Sequence, residues 1–142
     1  MKQGFYSTWK RLQSQVYGHI NTIMHWNCSH CTNVLMTGHS LGAAVSGFGA
    51  LEVTMDYNNV SSVVMNNFGM PRTGNAEYAA GFASLVPNSQ RMVHYHDIVP
   101  HVPMIDLGFA ILCDCCVLFT SLITNIMAQV PPRSDGDLGP EQ

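Results

Sequence analysis

Residues 37–44 read T-G-H-S-L-G-A-A and contain the spacing G-x-S-x-G, with Ser40 between Gly38 and Gly42. This spacing is typical of a nucleophile elbow, in which a serine stands on a sharp turn between a buried strand and a helix. A Cβ atom at either glycine is expected to clash with its neighbours in the turn. The stretch therefore predicts a strand that ends at Gly38 and a helix that begins just after Ser40.

The motif alone is weak evidence, because short patterns recur by chance and a Gly/Ser turn without chemistry is the alternative. Its setting favours the elbow. Residues 33–37 form a short apolar run that suits a buried parallel strand, and apolar side chains recur at helical spacing over residues 41–55. At an elbow the serine has a strained backbone, and the helix N-terminus favours a developing oxyanion.

The alternation of strands and helices continues on both sides of the elbow. Residues 5–24 carry apolar side chains at the helical period, and residues 63–68 and 91–95 are predicted strands. Between those strands, Asn75 is expected to cap a helix that stops at Pro87. Such alternation predicts right-handed crossovers and a parallel sheet covered on both faces. The predicted fold class is therefore α/β.

Length and charge exclude several classes of protein. The 142 residues suit one domain. The formal net charge is -3 and the six Lys and Arg residues are scattered, so nucleic acid is not an expected partner. No apolar run follows Lys2, so no signal peptide is predicted at the start. The oligomeric state is not predicted by these features.

Two further stretches accompany the elbow. Residues 68–75 read F-G-M-P-R-T-G-N, and residues 93–103 read V-H-Y-H-D-I-V-P-H-V-P. Together with residues 37–44 and the opening G-F-Y-S-T-W at residues 4–9, they resemble the class 3 (fungal-type) lipases. The resemblance implies a partial α/β-hydrolase fold, with a parallel sheet flanked by helices, over residues 1–106.

The resemblance also implies an activity, which is hydrolysis of carboxylic esters in acylglycerol-type lipids. The partner would be a lipid ester, and the reaction would proceed through an acyl-serine intermediate without a metal or another cofactor. Ser40 would be the nucleophile and Asp97 the triad acid, and the backbone N–H of Leu41 would be one oxyanion donor. The elbow residues around them are Gly38, His39 and Gly42.

The sequence departs from the family pattern at the general base. In this fold the histidine follows the acid along the chain, and only His101 follows Asp97. His101 lies only four residues beyond Asp97, between two prolines, and so short and stiff a segment is not expected to place its imidazole between Asp97 and Ser40. His94 and His96 are interpreted as acid-loop scaffold, and His39 as turn scaffold. The base and the strands before the elbow are therefore expected to be absent, which predicts an incomplete or inactive chain.

A protein of another class is the alternative. It would keep the elbow as scaffold and use exposed apolar surface to bind lipid, a membrane or a protein partner, without catalysis.

The end of the chain differs in character from the rest. Residues 107–130 form a hydrophobic segment, and residues 131–142 are a polar tail that is predicted to be disordered. Residues 107–128 are long enough to cross a bilayer, although Asp114 adds about 3 kcal/mol to insertion. Three interpretations stay open for this segment: membrane association, a buried core element, and a frame-shifted tail without a structural role.

The five cysteines lie in two clusters. Cys28 and Cys31 form a C-x-x-C pair, which is a common zinc half-site. The second cluster, at Cys113, Cys115 and Cys116, has the wrong spacing for the other half. The first cluster is therefore interpreted as a loop of free or disulfide-bonded cysteines, and no metal site is predicted.

Overall fold

The computed structural model describes residues 3–112 and 116–119. In chain order the elements are α1 (Gln3–Thr22), a π-helical turn (Ile23–Asn27), β1 (Asn33–His39), α2 (Leu41–Asp56), β2 (Ser62–Phe68), α3 (Ala76–Leu85), β3 (Ser89–His94), 3-10 turns at Val99–His101 and Ile105–Leu107, and β4 (Cys116–Phe119). The predicted helices and strands are all present with closely similar bounds. Asn75 caps α3, because its side chain accepts a hydrogen bond from the backbone N–H of Tyr78 at 3.0 Å.

The four strands form one parallel sheet in the order β1-β2-β3-β4. When consecutive parallel strands lie side by side, right-handed crossovers place their connecting helices on the same face. Accordingly, Val63 and Met65 of β2 are buried with Ala50 and Val53 of α2 and Phe82 of α3 in one core cluster. A parallel sheet flanked by helices is thus confirmed.

The other face of the sheet is not covered by the residues that the structure describes. Leu35 of β1 is 61% exposed and Phe68 of β2 is 42% exposed. Their partners across the sheet, Val64 of β2 and Met92 of β3, are only half-buried. The prediction that helices cover both faces is therefore wrong for this part of the chain. The reason is the sequential strand order, which sends the crossovers to one side.

Helix α1 lies on the covered face and is joined to α2 by one buried carboxylate. The Oε2 atom of Glu52 accepts hydrogen bonds from Trp9 Nε1 at 2.7 Å, Gln13 Nε2 at 2.6 Å and Lys10 Nζ at 3.3 Å. A buried carboxylate is tolerated only when donors surround it. The side chain of Lys10 is 43% exposed, so solvent screens its ion pair, and the two neutral donors contribute most of the stabilisation.

Replacing Glu52 by alanine is expected to lower the free energy of unfolding by about 2 kcal/mol, because the buried indole N–H of Trp9 loses its acceptor. Glu52→Gln is the matched control, since its amide oxygen still accepts from Trp9 and should retain more than half of that stability. Urea unfolding monitored by circular dichroism measures both. Equal losses in the two variants would show that the hydrogen bonds do not join the helices.

Burial raises the pKa of Tyr17, Tyr57 and Tyr78 above the ordinary value for a phenol. Asp56 raises the pKa of Tyr17 further, because its carboxylate accepts a hydrogen bond of 2.6 Å from the phenol hydroxyl. These tyrosines contribute to the packing of α1, α2 and α3, away from the elbow.

Only part of the hydrophobic segment predicted at 107–130 is described. Ala110 forms an isolated antiparallel bridge with Gly74, and Leu112 belongs to the core cluster. No helix within residues 3–112 has the length and hydropathy that a membrane crossing requires. Most of the candidate span at 107–128, and the tail at 131–142, lie outside the described residues.

Candidate active site

Ser40 stands on the turn between β1 and α2. Its φ of 53° and ψ of -120° make it the one non-glycine residue with positive φ in the described part of the chain. Two sets of backbone hydrogen bonds hold it there. Its N–H donates to the carbonyl of Phe68 at 3.0 Å, and its carbonyl accepts from Ala43 and Ala44 at 3.1 and 3.3 Å. A serine in this sparsely populated conformation is held by its surroundings.

The two motif glycines differ in their surroundings. A Cβ atom on Gly38 would lie 2.5 Å from the carbonyl carbon and oxygen of Gly42 and 2.7 Å from the nitrogen of Ala43. A Cβ atom on Gly42 would meet no atom within 4 Å. The expected clash is therefore present at Gly38 and absent at Gly42. The reason is that Gly42 lines an open apolar pocket of about 370 Å³, which is also lined by Trp9 and Leu12 of α1.

Leu41 is the first residue of α2, directly after Ser40. The first N–H groups of a helix have no partner within the helix, and the helix dipole places partial positive charge there. The N–H of Leu41 therefore belongs to the positively polarised first turn of α2, next to Ser40 in the chain. Its side chain is mostly exposed.

The ends of β1, β2 and β3 meet at one edge of the sheet. Gly69 follows β2 with a φ of +56°, and its N–H donates to Met92 of β3 at 2.9 Å. A Cβ atom on Gly69 would lie 2.8 Å from Asp97 Oδ2 and 3.6 Å from His39 Nε2. The structure therefore brings Asp97 and His39 together around Gly69, on the edge where Ser40 also lies.

The carboxylate of Asp97 is oriented by its own loop. Its Oδ1 atom accepts the backbone N–H of Val99 at 2.9 Å, and its backbone N–H donates to His94 at 2.7 Å. These contacts fix one oxygen within the turn and leave Oδ2 beside Gly69.

Two arginines that the sequence analysis did not single out hold the loop after Asp97. Buried Arg91 of β3 donates to the carbonyl of Met70 from Nε at 3.0 Å and from Nη2 at 2.8 Å, and Nη2 also donates to Pro100 at 2.6 Å. Arg72 donates from Nη1 to the carbonyls of His101 and Pro103. Guanidinium groups suit this role because several donors lie in one plane.

A third missed residue, Asn67 of β2, is fully buried beneath the elbow. Its Nδ2 donates to the carbonyl of Ala43 at 2.8 Å, and its Oδ1 accepts from the hydroxyl of Ser46 at 2.7 Å. Both partners lie in the first turns of α2, so Asn67 fixes the start of that helix against the sheet.

All seven histidines of the sequence lie within the described residues. His94, His96 and His101 are exposed, and the ring of His96 contacts Tyr95 with centroids 3.7 Å apart. Within residues 3–112, no hydrogen bond joins an imidazole to Ser40 or to Asp97. A further group of potential metal ligands, Cys28, His30 and Cys31, precedes β1 at the opposite end of that strand from Ser40.

Comparisons with known proteins agree with this geometry. The sequence model of the family described as Lipase (class 3) matches residues 1–107. Lipase ZK262.3 of Caenorhabditis elegans is 42% identical over 72 residues, which are 50% of this chain and 20% of that protein. The secreted mono- and diacylglycerol lipase A of Penicillium cyclopium is 28% identical over 106 residues, which are 75% of this chain and 33% of that protein.

Solved structures of lipases share the fold. Lipase II from Rhizopus niveus superposes with a TM-score of 0.69 at 29% identity, over 75% of this chain and 40% of that one. A triacylglycerol lipase whose catalytic centre is formed by a serine protease triad gives a TM-score of 0.67 at 30% identity, with the same coverage. The chain spans less than half the length of these relatives. Since the family model matches most of the chain, this chain belongs to the class 3 lipase family.

Proposed function

We propose that this chain carries the nucleophile and the acid of a lipase-type serine hydrolase acting on carboxylic esters of acylglycerol-type lipids. The observation that carries the proposal is the positive φ of Ser40 within the G-x-S-x-G turn. A non-glycine residue is held in such a conformation only where the surrounding structure determines it, and such positions cluster at active sites. The relatives named above as mono- and diacylglycerol or triacylglycerol lipases support the substrate class.

The proposed chemistry is acyl transfer through Ser40. Its Oγ attacks the ester carbonyl carbon while a general base takes the hydroxyl proton. The resulting oxyanion accepts the N–H of Leu41 and is stabilised by the N-terminus of α2. Collapse of this intermediate expels the alcohol, which takes the proton from the base, and water then hydrolyses the acyl-serine.

Asp97 would orient the histidine that serves as this base. Its Oδ1 is held by the N–H of Val99, so Oδ2 remains to accept a hydrogen bond from an imidazole. His39 lies close to Asp97 around Gly69, but it precedes Ser40 directly, and within residues 3–112 no hydrogen bond joins its imidazole to Ser40. We therefore expect Ser40 of this chain to lack an efficient base and the chain alone to turn over esters poorly.

A fluorophosphonate probe tests this proposal, because it reacts with a serine that a base has activated. The 142-residue chain is incubated with the probe, alone and with added free imidazole as an external base. We expect slow labelling that imidazole accelerates, and loss of labelling in Ser40→Ala. Ser84→Ala, at an exposed serine of α3, is the matched control and should behave like the parent chain.

Other outcomes decide between the two function classes. Fast labelling of Ser40 without imidazole would mean that one of the seven histidines is a working base, so the chain is a competent hydrolase. Labelling that persists in Ser40→Ala, or none even with imidazole, would count against the nucleophile and favour a non-catalytic protein that binds lipid or a partner.

A further inference from the structure

The turn before β1 contains three side chains that are known zinc ligands. It reads Cys28-Ser29-His30-Cys31, and its two cysteines form a disulfide. The Nε2 atom of His30 lies 3.5 Å from the Sγ atom of Cys28. One ligand atom from each of the three residues lies within 4.8 Å of the other two.

These separations fit a tetrahedral site. With Zn–S bonds of about 2.3 Å and Zn–N bonds of about 2.0–2.1 Å, a sulfur and a nitrogen ligand lie about 3.6 Å apart, and two sulfurs about 3.8 Å apart. The observed distance of 3.5 Å from Cys28 Sγ to His30 Nε2 is close to the first value. The two sulfur atoms must separate from their bonded distance, and breaking the disulfide frees them to do so.

The backbone around the turn is held on both sides. The N–H of Cys28 donates to Ile23 at 2.7 Å, and the N–H of Cys31 donates to Cys28 at 3.0 Å. Beyond the turn, the carbonyl of Thr32 accepts from Ser61 at 2.7 Å. None of these hydrogen bonds involves a sulfur atom, so reduction of the disulfide removes none of them.

The turn is also accessible. His30 and Cys31 are exposed and Cys28 is half-buried, so a cation can enter and solvent can fill a fourth position. Three protein ligands with one open position are a common zinc arrangement. The sequence pattern alone did not favour a metal, because Cys113, Cys115 and Cys116 do not complete a second half-site. The structure adds His30 as the third ligand.

We propose that Cys28, His30 and Cys31 form a binding site for a thiophilic divalent cation such as zinc when their disulfide is reduced. A dithiol reductant would transfer two electrons and two protons to the disulfide and itself become a disulfide. The two cysteine thiols then release their protons to solvent as the cation binds, and neutral His30 supplies a nitrogen lone pair.

This site is separate from the proposed active site. It lies at the start of β1, whose seven residues extend about 23 Å towards Ser40. A metal bound here is too far from Ser40 to contact it. We therefore expect the metal to stabilise the start of β1, the strand that leads to the elbow. The inference does not depend on the proposed hydrolase activity.

Cobalt binding tests the proposal, because Co²⁺ replaces zinc in tetrahedral thiolate sites and absorbs visible light. The whole 142-residue chain is reduced with a phosphine, desalted without oxygen and titrated with Co²⁺, and then with Zn²⁺ as competitor. We expect one equivalent of Co²⁺ with tetrahedral ligand-field bands and a thiolate charge-transfer band, which Zn²⁺ abolishes. The oxidised chain should show neither band.

Variants identify the ligands. Cys28→Ser should abolish the charge-transfer spectrum, and His30→Ala should weaken binding by at least about tenfold, the lower end of the cost of losing even an outer-shell partner. His25→Ala, at an exposed histidine of the preceding turn, is the matched control and should bind like the parent. Circular dichroism checks that each variant is folded.

Three results would overturn the inference. The first is a reduced, folded chain that shows no tetrahedral cobalt spectrum. The second is unchanged binding in Cys28→Ser. The third is loss of binding when Cys113, Cys115 and Cys116 are replaced together by serine, because the metal would then be held by the other cysteine cluster.

Discussion

Gly38→Ala is expected to lower the free energy of unfolding by about 4 kcal/mol or more, which is among the largest effects of a single substitution. The added methyl group would lie 2.5 Å from the backbone carbonyl of Gly42. Backbone atoms cannot turn aside as a flexible side chain does. The start of α2 would have to move away from β1, although Ser40 joins it to β2 through the carbonyl of Phe68.

Urea unfolding followed by circular dichroism measures this loss, and Gly42→Ala is the control. It places the same methyl group in the same motif, where no atom lies within 4 Å. Because alanine is the better helix former, Gly42→Ala should leave stability within about 0.5 kcal/mol of the parent or raise it. Similar losses in both variants would contradict the close approach of α2 to Gly38.

The same comparison separates two requirements of the G-x-S-x-G pattern in this chain. The first glycine is required by the fold, since β1 and α2 cannot approach each other without it. The second is not required by any contact among the described residues. If Gly42→Ala keeps the fold but lowers labelling of Ser40, the second glycine serves the approach of the ester to the serine.

The secondary structure could be predicted because its signal is local. Apolar side chains at helical spacing specify α1 and α2, and short apolar runs specify β1 and β2, so each element is encoded by its own residues. The coverage of the sheet could not be predicted this way. It depends on strand order, which is set by pairing between distant strands.

The residues of the candidate site also fall into those that local sequence predicts and those that it does not. Ser40, Gly38 and Asp97 could be singled out because they lie in short motifs. Asn67 and Arg91 could not, because the carbonyls and hydroxyl that they contact lie in other elements. One local signal was available: each is a polar residue at an inward position of an alternating strand, where it must find partners once buried.

Asn67→Ala is expected to lower the free energy of unfolding by about 3 kcal/mol, because it leaves a cavity at a fully buried position and removes the amide donor to Ala43. The loss is limited because the hydroxyl of Ser46 can also donate to that carbonyl, at 3.0 Å. We also expect slower labelling of Ser40 by a fluorophosphonate, since the first turn of α2 is then less firmly held.

Asn66→Ala is the matched control for this experiment. Asn66 precedes Asn67 on β2 but faces the uncovered side of the sheet and is half-buried, so its loss should cost no more than about 0.5 kcal/mol. A double-mutant cycle with Ser46→Ala should give a coupling energy of about 1 kcal/mol, because the two side chains share a buried hydrogen bond. If Asn67→Ala and Asn66→Ala lower the free energy of unfolding by equally small amounts and the coupling energy is zero, then apolar packing alone holds α2 in place. The elbow would then not depend on Asn67.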